Sequence, residues 1–209
     1  MAVVETVQGR RASAAARRVQ ARLLRQVEEM AALARLADIG EGQEGSELTA
    51  ADLRTRVEKV SGWSVADHLE HLVLVDRGVL NLLDGLLAGP PPPPIAGINL
   101  AGRLVMLLGF IPRGAGRATT PLRPQGMTAE ELRSRLAETA ERVRRLGPRL
   151  AEIEGAAGRR PHLIFGGLTA AQWHRFLTVH HHHHLKIIRD IRSARSAIAR
   201  QARGPRRPG

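Results

Sequence analysis

The sequence predicts an all-α fold: a four-helix bundle with a short extra helix and a long crossover rich in proline and glycine. Three observations support this prediction. Apolar residues recur at three- and four-residue intervals in several long segments. A capping-box pattern, in which Ser or Thr is followed three residues later by an acidic or amide side chain, recurs where these segments begin. No segment alternates apolar and polar residues as a half-buried strand would.

The predicted helices each begin at a cap or end at a glycine or proline, and they cover residues 13–39, 49–60, 64–87, 128–147 and 169–200. Together they predict one domain over 13–202, with a flexible N-terminus at 1–12 and a disordered basic tail at 203–209. Gly89 and the five prolines that follow it end the third helix and open a crossover over 88–126. The apolar segment 104–111 within the crossover is shorter than the about 20 residues a bilayer requires. We therefore expect it to cover the core as a short helix. Residues 159–167 are predicted to form a loop.

Composition excludes several kinds of chemistry. The chain has no cysteine, which rules out thiolate metal ligands, disulfides and a cysteine nucleophile, so a metal would need histidines and carboxylates. The formal net charge of +12 comes almost wholly from arginine. These arginines are spread over every predicted helix, and aromatic residues do not interleave with them, so we expect no nucleic-acid partner. The N-terminus lacks the apolar segment of a secretion signal, and we expect a cytoplasmic protein without a membrane partner.

The predicted helix over 169–200 contains five consecutive histidines, His180–His184, here called the histidine run. Helical spacing puts His180 and His184 in the middle of the apolar stripe that extends from Trp173 to Ile198. It puts His183 at the edge of the stripe, whereas His181 and His182 are predicted to point away. Residues four apart on a helix have Cβ atoms about 5–6 Å apart, which suits two imidazoles that bind one metal ion. The alternative is that each histidine is an ordinary core residue with a hydrogen-bond partner.

A third ligand could come from the predicted helix over 64–87. His68 and His71 both lie off its polar stripe, so either could face the core. That polar stripe is predicted to contain Glu70, Arg77, Asn81 and Asp84. Helical periodicity leaves the choice between His68 and His71 open.

Two phrases resemble motifs of the DinB-like (YfiT-type) metalloenzyme superfamily. The segment from Trp63 to Leu72 is similar to its helix-start motif, W-[ST]-x-x-x-x-x-x-H-[LI], and His180 to Leu185 is similar to its second motif, H-x-x-H-H-L. A third segment, from Phe165 to Trp173, looks like that of one subgroup of DinB-related domains. The resemblance covers residues 14–195, and its specificity lies in these segments.

This resemblance implies a four-helix bundle that binds a divalent metal ion, zinc or nickel, through His71, His180 and His184. Three protein ligands with an open position are typical of a catalytic site. Known members include thiol-dependent S-transferases and a maleylpyruvate isomerase that uses a low-molecular-weight thiol. The expected function is therefore a metal-dependent transferase or hydrolase that acts on a small molecule, with a low-molecular-weight thiol as a candidate cosubstrate. The alternative is a non-catalytic helical metal-binding or ligand-binding module. The oligomeric state stays open, a homodimer included.

No general base stands out in the sequence. Asp67, His68 and His183 are candidates because each lies near a proposed ligand, although each also has an ordinary structural explanation.

Overall fold

The computed structural model describes residues 11–35, 53–114, 116 and 118–203. Its helices are α1 (Ala14–Arg35), α2 (Val65–Ala88), α3 (Leu100–Leu108), α4 (Ala129–Leu146), α5 (Leu150–Gly155) and α6 (Ala170–Arg203). Two short strands, β1 (Arg160–His162) and β2 (Gly166–Leu168), pair in antiparallel register. The prediction of an all-α bundle is confirmed. The predicted N-terminal segment up to residue 10, the end of the first predicted helix after Arg35, and the tail from 204 onward lie outside the described residues.

Four long helices enclose the core. Helix α1 packs against α4 and α6, and α2 packs against α6 and α4. Apolar residues at three- and four-residue spacing form the buried face of each helix, as Leu23, Val27 and Met30 do on α1. Each fully buried side chain of this size contributes about 1.5–3 kcal/mol relative to an exposed one. The apolar stripe of α6 is buried as far as Ile191, but Ile198 is 58% exposed, so the predicted stripe was too long.

Three predicted capping boxes fix where helices begin. Ser64 Oγ accepts from the Asp67 backbone N–H at 3.1 Å, and the Asp67 carboxylate accepts from the Ser64 N–H at 2.9 Å. The same reciprocal bonds join Thr128 with Glu131 and Thr169 with Gln172. Each box satisfies two N–H groups that have no partner within the helix. These caps set the register at which α2 and α6 present their histidines.

The crossover over 88–126 contains a short helix, α3, which begins four residues before the predicted segment 104–111 and ends three residues before its end. Asn99 caps its start by accepting from the Gly102 N–H at 2.9 Å, and Gly109 ends it in the left-handed conformation, with φ of 65°. Among the described residues, no helix combines the length and apolar character needed to cross a bilayer. The crossover lies against the edge of the bundle, next to α2 and α6.

The loop predicted over 159–167 is instead part of the β1–β2 hairpin. The hairpin lies directly on the crossover backbone, where Asn99 N–H donates to Phe165 O at 2.9 Å. Glycine permits this contact, because a Cβ at Gly167 would lie 2.2 Å from Ala96 O. Strands of three residues are too short for an alternating pattern to reveal, which explains why the sequence prediction was wrong here.

The short helix predicted over 49–60 is also wrong in its described part. Residues 49–52 lie outside the described residues, and helical geometry is found at Leu53 and Arg54 alone. A tight turn follows, in which Val60 N–H and Ser61 N–H both donate to Val57 O, at 2.7 and 2.9 Å. β-branched residues in this segment have low helix propensity. The turn brings Ser61 next to the start of α2.

Candidate metal centre

The packed faces of α2 and α6 bring three histidines together. His71 lies on α2, whereas His180 and His184 lie one turn apart on α6. Each exposes at most 9% of its surface. One ring nitrogen from each of the three lies within 4.8 Å of the other two. The three histidines predicted as metal ligands are therefore neighbours in the fold.

A backbone carbonyl fixes the orientation of His71. Its Nδ1 lies 2.7 Å from Leu122 O, which can only accept, so Nδ1 carries the ring proton. The lone pair is then on Nε2, which lies 3.3 Å from His180 Nε2. Leu122 belongs to the crossover, in a 3₁₀ turn at Thr120–Leu122. The crossover therefore orients a residue of the bundle.

A hydrogen bond to a second histidine orients His184. Its Nδ1 lies 2.9 Å from His68 Nδ1, and His68 Nε2 lies 3.0 Å from Ser61 Oγ. Two opposite proton arrangements satisfy both contacts, and the one compatible with metal binding has His184 Nδ1–H donating to His68 Nδ1 and His68 Nε2–H donating to Ser61 Oγ. That arrangement leaves a lone pair on His184 Nε2. His68 is thus a hydrogen-bond partner of His184, and the group of three contains His71 in its place.

The donor set fits a divalent metal ion. Two ligands bound tetrahedrally to zinc at about 2.0–2.1 Å lie about 3.3 Å apart. This is the separation between His71 Nε2 and His180 Nε2. His180 Nδ1 is buried and has no hydrogen-bond partner among the described residues. The separation of the two Nε2 atoms and the set of three imidazoles both fit a site for a divalent ion.

Burial keeps these imidazoles neutral. Desolvation holds the pKa of His180 and of His184 well below the ordinary value of 6.5, and the neighbouring histidines lower it further. The pKa of His71 is also lowered by desolvation, although its hydrogen bond to Leu122 opposes the shift. Desolvation lowers the pKa of His68 to about 4. A neutral imidazole is the form that binds metals, so the site is ready at pH 7 without losing protons.

Trp63, the first residue of the predicted α2 motif, forms one wall of the centre. Its ring centroid lies 5.1 Å from that of His71 and 5.4 Å from that of His68, and its ring is stacked on His184 at 6.3 Å. A large apolar ring at this position excludes water from the histidines and fixes their side-chain positions.

The other two candidate bases have structural partners. The Asp67 carboxylate caps α2 and lies 3.7 Å from the Arg56 guanidinium. His183 is half-buried, and its Nδ1 donates to Ile111 O at 2.9 Å. Each residue therefore holds a local structure, and neither belongs to the group of three.

Two carboxylates of α2 are buried: Glu70, which was predicted to lie on the polar stripe, and Asp76, which the sequence analysis did not single out. Glu70, predicted on the polar stripe, is 3% exposed and accepts the N–H groups of Gln125, Gly126 and Met127 at 2.5, 3.0 and 2.9 Å. Asp76 is fully buried and lies 2.7 Å from His181 Nε2. The prediction that His181 points away from the core was wrong. The spacing carries a signal for this pair, because Asp76 follows Leu69 by seven residues and His181 follows Leu177 by four.

A cavity of about 760 Å³ opens beside the three histidines. It lies between α2, α3, the end of the crossover, the hairpin and α6. Apolar side chains predominate in its lining, and His71, His180 and His184 all contribute to its wall. His162 of β1 also lines it, a residue that the sequence analysis did not single out. Its volume lies within the range typical of small-molecule sites.

Comparison with known proteins identifies the family. The model of the DinB superfamily matches residues 45–188, more than half of the chain. Comparisons with curated proteins and with solved structures gave no match. The matched region includes α2, the crossover, the hairpin and the histidine run, and its cluster of three histidines fits a metal-binding domain. The chain belongs to the DinB superfamily.

Proposed function

We propose that the chain binds a divalent metal ion through His71, His180 and His184 and acts as a metal-dependent transferase or hydrolase on a small molecule. One observation carries this proposal: three buried, neutral imidazoles converge at the wall of a cavity that has room for a substrate. Nitrogen ligands of this kind suit zinc and nickel. A low-molecular-weight thiol is the proposed cosubstrate if the reaction is a group transfer.

The chain's own residues prepare the site. Leu122 O bonds to Nδ1 of His71, and His68 bonds to Nδ1 of His184. In each ring this is the nitrogen that faces away from the centre, so the bond fixes the orientation of the ring. Trp63 and the apolar cavity wall exclude water, which strengthens electrostatic interactions at the centre. When bound there, the metal would supply a Lewis acid that polarises a substrate or activates a bound water or thiol.

The surroundings of the centre favour an enzyme over a binding module. A structural metal site is closed by a fourth protein ligand. Within the described part of the chain, the candidate group holds three histidines, and the cavity lies beside them. Such an arrangement leaves room for a substrate at the metal, which supports catalysis.

Metal content and affinity of single variants test the ligand set. We expect His71→Ala, His180→Ala and His184→Ala each to weaken metal affinity by more than about 100-fold. This exceeds the loss that is usual when a residue hydrogen-bonded to a metal ligand is removed. The protein must carry no affinity tag, since added histidines would bind metal themselves. His174→Ala is the matched control, because His174 is a buried histidine of α6 bonded to Gln20 Oε1 at 2.9 Å. Equal losses in His174→Ala and His184→Ala would contradict the proposal.

Turnover separates the enzyme from the module. Metal-free and metal-loaded protein should be compared on a panel of thiol-transfer and ester or amide hydrolysis substrates, with far-UV circular dichroism to confirm folding. We expect activity that disappears when the metal is removed and returns when it is restored. Tight metal binding without turnover on any substrate would favour the binding module.

A further inference from the structure

The cavity wall defines the chemistry of its ligand. Its described lining contains seven kinds of apolar side chain, glycine, one threonine and five histidines, and no Asp, Glu, Lys or Arg. A charged ligand group buried against these described residues would have no partner of opposite charge. The chain as a whole carries +12, so the lack of cations among the described residues of this wall does not follow from composition.

The mouth of the cavity is apolar as well. Leu104, Leu108 and Leu163 line the cavity and yet are 49%, 68% and 79% exposed. Leucines on α3 and at the hairpin thus continue the apolar wall outward from the histidines. An extended molecule could stay in apolar contact along this whole path.

His162 adds a polar group to the wall without adding charge. His162 Nδ1 accepts the N–H groups of Ile164 and Phe165 at 3.1 and 3.2 Å, so Nε2 carries the proton. Desolvation lowers the pKa of His162 to about 4, which keeps the ring neutral at pH 7. His162 also stacks on Phe165, with ring centroids 4.4 Å apart.

A glycine in the middle of α2 leaves part of the space empty. Gly78 lines the cavity, and no atom lies within 4 Å of the position that its Cβ would occupy. Glycine costs about 1 kcal/mol relative to alanine inside a helix. No close packing in the described structure requires glycine here, whereas a side chain at this position would border the cavity.

We propose that the cavity binds an uncharged, extended apolar molecule, aliphatic or aromatic, whose compact polar head reaches the three histidines. The part of this inference that concerns the polar head rests on the proposed function. The apolar body of the ligand is argued from the cavity wall. A substrate or cosubstrate with a charged body, such as a thiol that carries carboxylates, is a poor fit to this wall.

Alkyl hydroxamates of increasing length test the proposal, because they join a metal-binding head to an apolar tail. They can be titrated into zinc-loaded and metal-free protein, with the fluorescence of Trp63 and Trp173, which both line the cavity, as the signal. We expect Kd to fall about fourfold per methylene, from about 0.8 kcal/mol for each buried CH₂, until the cavity is full. A hydroxamate with a terminal carboxylate should bind at least about thirtyfold weaker than the alkyl analogue of equal length, because an unpaired buried charge costs at least about 2 kcal/mol.

Two variants locate the tail. Gly78→Leu should abolish the gain for the longest tails, whereas Gly85→Leu should retain the whole series. Gly85 is the matched control because it lies two turns further on the same helix, also has no atom within 4 Å of its Cβ position, and does not line the cavity. Affinity that is independent of tail length would overturn the inference, even if zinc-loaded protein bound the head group tightly. Equal tail dependence with and without zinc, and no gain from zinc, would instead refute the metal site and leave the inference standing.

Discussion

The buried pair of Asp76 and His181 allows a quantitative test of how α2 and α6 are held together. Both side chains are fully buried, and Asp76 Oδ1 lies 2.7 Å from His181 Nε2. Asp76 Oδ2 and His181 Nδ1 have no hydrogen-bond partner in the part of the chain that the structure describes. The pair is therefore self-contained, and each side chain depends on the other for its only hydrogen bond in the described structure.

The cost of each single substitution follows from what is left behind. His181→Leu leaves a buried carboxylate without a partner, and we expect the free energy of unfolding to fall by about 3–5 kcal/mol. Asp76→Ala leaves a buried imidazole without its acceptor, and we expect a fall of about 1–3 kcal/mol. The double variant removes both polar groups and keeps the combined side-chain volume similar. Its stability should lie within about 1 kcal/mol of the wild type, as for other buried pairs replaced by apolar residues.

Urea unfolding followed by far-UV circular dichroism measures all four proteins of this cycle. An unchanged dependence of the unfolding free energy on urea concentration would show that each variant unfolds from a comparable native state. The expected coupling energy is at least about 2 kcal/mol, well above the about 0.5 kcal/mol within which independent sites add. Additive losses in the double variant would refute the reasoning, since the two residues would then act separately.

Two further predictions concern the elements around the centre. Glu70→Gln should lower the free energy of unfolding by about 2–4 kcal/mol, because an amide cannot replace a carboxylate that accepts three backbone N–H groups. The control is Glu131→Gln at an exposed helix cap, which should lower the free energy of unfolding by less than about 1 kcal/mol. Similar losses in the two variants would contradict this account. Desolvation lowers the pKa of His174 to about 4. Between pH 6.5 and 4 the residue therefore gains a proton when the protein unfolds. Its contribution to the free energy of unfolding is present above pH 6.5 and is lost as the pH falls through this window. The stability of the wild type relative to His174→Gln should therefore fall by about 3 kcal/mol from pH 6.5 to 4 in urea unfolding, and a constant difference would show that His174 does not titrate in this way.

Helical periodicity was sufficient to predict the faces of His180 and His184. An apolar stripe at 3.6-residue spacing fixes which side of α6 is buried, and both histidines fall in its middle. The same reasoning failed for His181, because α6 buries a wider arc than a single stripe. Both α1 and α2 cover the helix near that level, where Gln26 of α1 donates to Thr178 O at 3.0 Å and Asp76 of α2 contacts His181. Spacing alone cannot tell whether a polar residue beside the apolar stripe lies on a broad buried face or faces solvent.

The parts of the site that depend on distant backbone could not be predicted. The carbonyl of Leu122 orients His71, although 51 residues separate them. The hairpin forms where Gly166 and Gly167 fit against the crossover backbone, a contact that becomes visible only when both segments are placed. Helical spacing also left His68 and His71 equivalent, and it is the turn containing Ser61 that distinguishes them by giving His68 a hydrogen-bond partner.

The histidine run fixes α6 in both rotation and translation. His180 contacts His71, His181 contacts Asp76, His183 contacts Ile111 O and His184 contacts His68, so four of the five histidines hold the helix, each in a different direction around its axis. A slip of one residue would turn the helix by about 100° and break all four contacts together. The helix that carries two of the proposed ligands is thus a rigid reference for the centre. Any adjustment of the cavity to the length of its ligand falls to the opposite wall, where α3 and the hairpin expose their leucines to solvent.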